Sequence, residues 1–311
     1  MTRQERAVSR IVFTTDFLKP AQRAFAYALA LAKALQLRLV ILHVIKGVTD
    51  AGSPIQPDSR YLRPLKTAAL LELGRLVRLA QEAGVRAEPR LQVGHPTTCV
   101  MDALAELQAQ LMVMGTHGRT GWDRLQLGST AESVIREASC PVVTVRGLVA
   151  GDVGRSHRPV RLKRLLVATD FSACAQAALR YAAGLARRLE SELVILHVFE
   201  TPARGPGTGR SDAGGAVESS RRQAQGRRRL NRLLSALRAE GVAADGYCVA
   251  GEPIDVILTQ AAQWAADAIV IGTHGRRGLR RAVLGSLAEQ VVRRAGCPVL
   301  TVNRTATHVR L

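Results

Sequence analysis

The stretch "RIVFTTDFLKPAQRAFAYALALAKALQLRLVILHV", Arg10 to Val44, returns at Arg164 to Val198 as "RLLVATDFSACAQAALRYAAGLARRLESELVILHV". Both versions carry the tripeptide TDF and end in an identical LVILHV, so one offset of 154 residues joins Asp16 to Asp170 and His43 to His197. Each opens on a short apolar run cut by an acid and continues in Ala and Leu at helical period. The closing run is nearly continuously apolar, as a strand covered on both faces must be. Strand, helix and buried strand in that order form a parallel βαβ unit, and this chain contains it twice.

The duplication extends outward from there. "VGHP" at 93–96 answers "AGEP" at 250–253, "LMVMGTHGR" at 111–119 answers "AIVIGTHGR" at 268–276, and "CPVVTV" at 140–145 answers "CPVLTV" at 297–302. The offset has become 157, which places three extra residues in the second copy between His197 and Gly251. Segments 65–83 and 228–240 read as helices that stop before Gly84 and Gly241. "AEPRLQVG" and "ADGYCVAG" read as strands, and helices follow Pro96 and Pro253. A last helix opens at Ser129 or Ser286 and feeds the strand after Cys140 or Cys297. The expected architecture is therefore two tandem copies of a mostly parallel, five-stranded α/β domain with an open twisted sheet. Domain-sized copies of this kind exclude a solenoid.

Composition agrees with two packed domains. Of 311 residues 47% are hydrophobic and only 4% aromatic, so the cores must be aliphatic. The domains are expected at 1–146 and 162–311, joined by the Gly- and Pro-interrupted linker 147–161. Residues 201–229, Gly-rich and then Arg-rich, read as a long flexible loop: either a mobile surface segment or an arm that binds phosphate or a partner. Cys99, Cys140, Cys174, Cys248 and Cys297 are odd in number and lack CxxC spacing, the pattern of buried, reduced thiols in a cytosolic protein. No signal-peptide core follows "MTRQERAVSR", and no run reaches membrane-span length, so a soluble, cytoplasmic protein is expected. The net charge of +19 fits either a solvated arginine surface or attraction to anionic ligands.

The glycines share one spacing: Gly115, Gly118, Gly128 and Ser129 in the first copy, Gly272, Gly275, Gly285 and Ser286 in the second. Gly115 and Gly272 follow a strand directly, at the carboxyl edge where parallel sheets bind ligands, and a missing β-carbon lets sugar and phosphate approach the backbone. The Gly-Ser pair opens a helix whose free N–H groups and dipole favour a phosphate. No GKS or GKT is present, so neither loop is a Walker A motif. A purely structural reading competes at each position. Ser129 with Glu132, and Ser286 with Glu289, spell capping boxes. The glycines can equally serve turns, and Asp16 and Asp170 can be helix N-caps. His117 and His274 lack a spaced acid partner and read as hydrogen-bonded loop residues, and His43 and His197 as satisfied strand residues. Arg119 and Arg276, with Arg124 and Arg280 behind them, face phosphates or solvent.

Taken together, the TDF strand end, the full glycine spacing and the closing CPV resemble the universal stress protein family in its tandem form, over 8–146 and 162–303. The resemblance implies a Rossmann-like fold similar to the adenine nucleotide alpha hydrolases. It implies ATP as ligand, Mg²⁺ entering with the phosphates, and Asp16, Val44, Asp170 and Val198 lying against the adenosine. The eight glycine and serine positions, with Arg119 and Arg276, would surround ribose and phosphates. No position departs from the family pattern. The resemblance further implies a nucleotide-responsive role in stress adaptation and pairing of domains through the CPVVTV and CPVLTV strands, within one chain or between two.

No nucleophile with its base and no metal-carboxylate set accompanies these motifs, so binding is expected ahead of turnover, with slow ATP hydrolysis left open. Two other readings stand beside it: a scaffold that binds no nucleotide and recruits a protein partner, and a nonspecific nucleic-acid binder using the positive charge.

Overall fold

The computed structural model of the protein describes residues 9–47, 62–116, 127–146, 160, 162–200, 212–274, 284–303 and 306. The chain divides into two compact units, Met1–Val160 with Thr305–Leu311, and Arg161–Arg304. The expected linker lies almost wholly outside the described residues.

In the first unit the elements run β1 (Arg10–Thr14), α1 (Lys19–Leu35), β2 (Arg38–Lys46), α2 (Leu62–Glu82), β3 (Ala87–Gly94), α3 (Pro96–Glu106), β4 (Leu111–Gly115), α4 (Ser129–Glu137) and β5 (Val142–Val145). The strands lie in the order β3-β2-β1-β4-β5, and every pairing is parallel. Val12 sits between Val40 and Met112 in the register. Consecutive Ile11, Val12 and Phe13 are fully buried, which requires helices over both faces of the sheet.

The second unit repeats this with β6 (Arg164–Ala168), α5 (Ala173–Leu189), β7 (Glu192–Phe199), α6 (Asp212–Ala239), β8 (Ala244–Ala250), α7 (Pro253–Gln263), β9 (Ala268–Gly272), α8 (Ser286–Arg294) and β10 (Val299–Val302). Its order is β8-β7-β6-β9-β10, again parallel throughout. Helices α2 and α6 both end just before a glycine in the left-handed region, Gly84 at φ +79° and Gly241 at φ +75°. Only glycine adopts that conformation without strain, so these two positions stop the helices as expected.

One expectation fails here. Residues 212–229, read as the second part of a flexible loop, form most of helix α6; residues 201–211 lie outside the described ones. Packing explains the difference. A β-carbon on Gly226 would stand 2.8 Å from both Cys248 Sγ and His197 Cδ2, and one on Gly246 would stand 2.9 Å from Leu230 and Leu234. Gly226, one of the glycines that suggest a loop, and Gly246 of β8 are what let α6 lie close against β7 and β8, and tertiary contact overrides the poor helix propensity of the segment.

The cysteines are all free, but only Cys140 and Cys174 are buried; Cys99, Cys248 and Cys297 are half-buried, short of the sequence expectation. Burial pushes the Cys140 thiol up to about 12. Because the fold holds this proton above the ordinary thiol value, the stability linked to it is present at neutral pH and declines as pH climbs from that value towards 12. At pH 8 Cys140 is expected to resist a thiol reagent in the native chain and to react within minutes in urea. Peptide mapping of labelled protein checks this, and native labelling at Cys140 would contradict it.

Candidate functional site

In each unit β1 or β6 has β2 or β7 on one side and β4 or β9 on the other, so the chain winds in opposite directions from this central strand. The crevice beyond its carboxyl end is where such sheets bind ligands. The TDF tripeptide occupies that point. Thr15 Oγ1 accepts from Phe17 N at 2.9 Å and Asp16 Oδ1 from Leu18 N at 3.0 Å; Thr169 accepts from Phe171 N at 3.1 Å and Asp170 from Ser172 N at 2.9 Å. These side-chain turns hold Phe17 and Phe171 at positive φ, 64° and 62°. The aspartates are not the N-caps: Leu18 precedes α1, and Ser172 caps α5 by accepting from Ala175 N. Each aspartate spends one oxygen on the turn, and Asp16 Oδ2 is buried without a partner.

His43 and His197 support the turns, as sequence suggested for satisfied strand residues. Their Nδ1 atoms lie 2.7 Å from Thr15 O and 2.8 Å from Thr169 O, and their rings lie tilted against those of Phe17 and Phe171, with centroids 4.2 and 4.4 Å apart. Neither is arranged as a free general base. The positive-φ phenylalanines were not foreseen, because nothing in a TDF tripeptide advertises a left-handed non-glycine residue.

Val44 and Val198 follow from strand alternation. Leu42 O accepts from Thr15 N and Leu196 O from Thr169 N, so those residues face the central strand. Two residues on, Val44 and Val198 turn their main-chain N–H and C=O to the same side, but the central strand has ended. An adjacent main-chain donor and acceptor therefore face the crevice.

Gly115 and Gly272 close β4 and β9 as expected. Gly118, Arg119, Gly275 and Arg276, together with His117, Arg124 and Arg280, lie outside the described residues. Gly128 and Gly285 are the N-caps of α4 and α8, held by their N–H groups to Thr116 O at 3.1 Å and Thr273 O at 2.9 Å. Ser129 and Ser286 are therefore first helical residues, one place too late to cap, and the capping boxes of the competing structural reading do not form. Their hydroxyls are exposed beside the first-turn N–H groups, which have no partner within the helix. In the second unit these parts line one cleft of about 1050 Å³, running from Asp170 and Val198 to Gly285 and Ser286. His274 borders it with Nδ1 at 2.9 Å from Thr273 Oγ1 and Nε2 buried without a partner.

The universal stress protein family matches residues 7–146 and again 161–303. The chain belongs to that family. A universal stress protein of Methanocaldococcus jannaschii is 30% identical over 143 residues, 46% of this chain and 84% of its own length. Among solved structures, a universal stress protein of Archaeoglobus fulgidus covers 96% of this chain and 99% of its own, at TM-score 0.68 and 21% identity, a likeness of fold. Another from that organism, solved in complex with dAMP, is 27% identical over 46% of this chain and 98% of its own, at TM-score 0.32.

Within this universal stress protein the two copies differ in how tightly their glycines are demanded. A β-carbon on Gly272 would meet Cys174 C at 2.9 Å and Ala175 N at 3.0 Å, and one on Gly285 would meet Thr273 O at 2.7 Å. At Gly128 the same test gives Thr116 O at 3.4 Å, ordinary contact. Part of the glycine pattern in the second copy therefore serves packing.

Proposed function

We propose that this chain is a cytoplasmic, ATP-binding tandem universal stress protein, a nucleotide-responsive regulatory module used in stress adaptation, with one adenine nucleotide held in each copy. The observation that carries the reading is the exposed serine at the start of α4 and α8, unused by the helix it opens and set among free first-turn N–H groups. Val44 and Val198 would take the base edge, Asp16 and Asp170 the nucleoside, and Gly128 to Ser129 and Gly285 to Ser286 the phosphates. Mg²⁺ would enter with the triphosphate. Binding rather than turnover is the purpose proposed, since the histidines of the strands are committed to the turns.

The competing reading is a scaffold without nucleotide, favoured by the packing demand at Gly272 and Gly285. Titration of nucleotide-stripped protein with Mg-ATP, checked by equilibrium dialysis, separates the two when paired with Ser129→Glu and Ser286→Glu. An acid in the first turn suits the helix dipole, so thermal stability should hold or rise slightly. ATP affinity should nevertheless fall by about tenfold or more at each site through repulsion of the phosphates. Binding of two per chain, lost in the double variant, supports the nucleotide reading. Absence of binding to the native chain leaves the scaffold.

A further inference from the structure

The two copies are not equivalent at the helix that walls the crevice. Buried Ala69 and Leu73 of α2 match Gly226 and Leu230 of α6 at the offset of 157, and the helices end together at Gly84 and Gly241. On that register Arg222 stands where the first copy has Leu65, and Arg229 where it has Glu72. Both arginines line the second-copy cleft, and their helix packs on β7 and β8 whereas α8 packs on β10, across the strand order of the unit. Arg229 is half-buried, with its guanidinium 5.6 Å over the Phe171 ring, and has no carboxylate partner among the described residues. Arg222 donates to Glu200 O at 3.3 Å and to Glu218 at 2.5 Å. In the first copy Leu65 is 48% exposed, and Glu72 pairs with Arg75 at 3.0 Å.

We infer that Arg222 and Arg229 give the second copy, and not the first, a seat for a second phosphoryl group, remote from the phosphates held at the start of α8. The inference rests on the nucleotide reading above. An ordinary mononucleotide needs no cation at that end. A guanidinium fixed on an aromatic face, with its N–H fork unspent on acids, is suited to bidentate capture of phosphate. Arg222, two turns away on the same helix wall, is paired with Glu218 and would join by exchanging that carboxylate for the phosphate. The cleft volume of about 1050 Å³ leaves room for a ligand longer than a mononucleotide. The ligand class is thus a nucleotide bearing phosphate at two separated positions, either on both the 3′ and 5′ carbons of one ribose or along a chain bridging two nucleosides.

The test titrates the full chain with AMP, ATP, adenosine 3′,5′-bisphosphate and diadenosine tetraphosphate, beside the Arg222→Gln/Arg229→Gln variant. One of the two larger probes is expected to bind one site per chain about tenfold more tightly than AMP, the scale of a charge-assisted pair. The double variant should lose that gain while its AMP affinity and melting temperature stay close to the native values. A gain confined to the bisphosphate places the second phosphate on the ribose, and one confined to the tetraphosphate places it on a bridge to a second nucleoside. If AMP and ATP bind but neither larger probe gains, or the variant keeps the gain, the inference is overturned while the nucleotide reading stands. If AMP and ATP also fail to bind, the reading beneath it falls as well.

Discussion

Gly285→Ala is expected to lower the stability of the second copy by about 1–3 kcal/mol, the usual cost of forcing a group into filled space, whereas Gly128→Ala should stay within about 0.5 kcal/mol. The two glycines hold the same place in the repeat, so the contrast isolates packing from sequence context. Gly285 has φ −60° and ψ 132°, angles any residue adopts, and its need for glycine is steric alone. The added β-carbon would stand 2.7 Å from Thr273 O, and the Gly285 N–H holds that same carbonyl at 2.9 Å. Backbone meets backbone, with no flexible side-chain end to move aside. At Gly128 the distance to Thr116 O is 3.4 Å, and relief is cheap. Parallel urea denaturation of the two variants checks this, and equal stabilities would remove the distinction between the copies. Loss of ATP binding by Gly285→Ala could not then be assigned to the ligand contact alone, which is why the serine variants are the cleaner probe.

The fold was legible because each pattern occurs twice. LVILHV had to be a buried strand in both places, and the helix stops at Gly84 and Gly241 are fixed by a conformation that glycine reaches cheaply. The start of α6 was not legible. A segment containing Gly214, Gly215 and Gly226 has poor intrinsic helicity, and only the approach of Gly226 to His197 and Cys248 shows why a helix lies there. The same misreading hid Arg222 and Arg229 from the candidate site. The capping boxes failed for a reason of phase. Glu132 N and Glu289 N bond to Gly128 O and Gly285 O, so each helix begins its hydrogen bonding one residue before the serine that the S-x-x-E pattern would select. That shift turns the serine from a helix cap into a candidate ligand, a difference no spacing rule separates.

The other large effect is expected at Phe13→Ala, which should cost the first copy about 3–5 kcal/mol. Phe13 is fully buried in the central strand, registered with Ile41 on one side and Val113 on the other, and its ring lies 5.5 Å from that of Phe25 on α1. The second copy fills the same two positions with Val167 and Leu179, so its core is closed by different volumes and offers no substitute for the lost ring. Phe13 also stands two residues before Thr15, whose carbonyl meets His43 and whose hydroxyl sets the turn that aims Asp16. A cavity behind that turn should loosen the first site while leaving the second untouched, so under the proposed nucleotide reading bound ATP is expected to fall from two per chain towards one. Urea denaturation reads the stability and equilibrium dialysis the stoichiometry. A cost below about 1 kcal/mol would mean that the core collapses around the gap. Two retained sites beside a full loss of stability would mean that the turn at Asp16 stands without the strand that carries it.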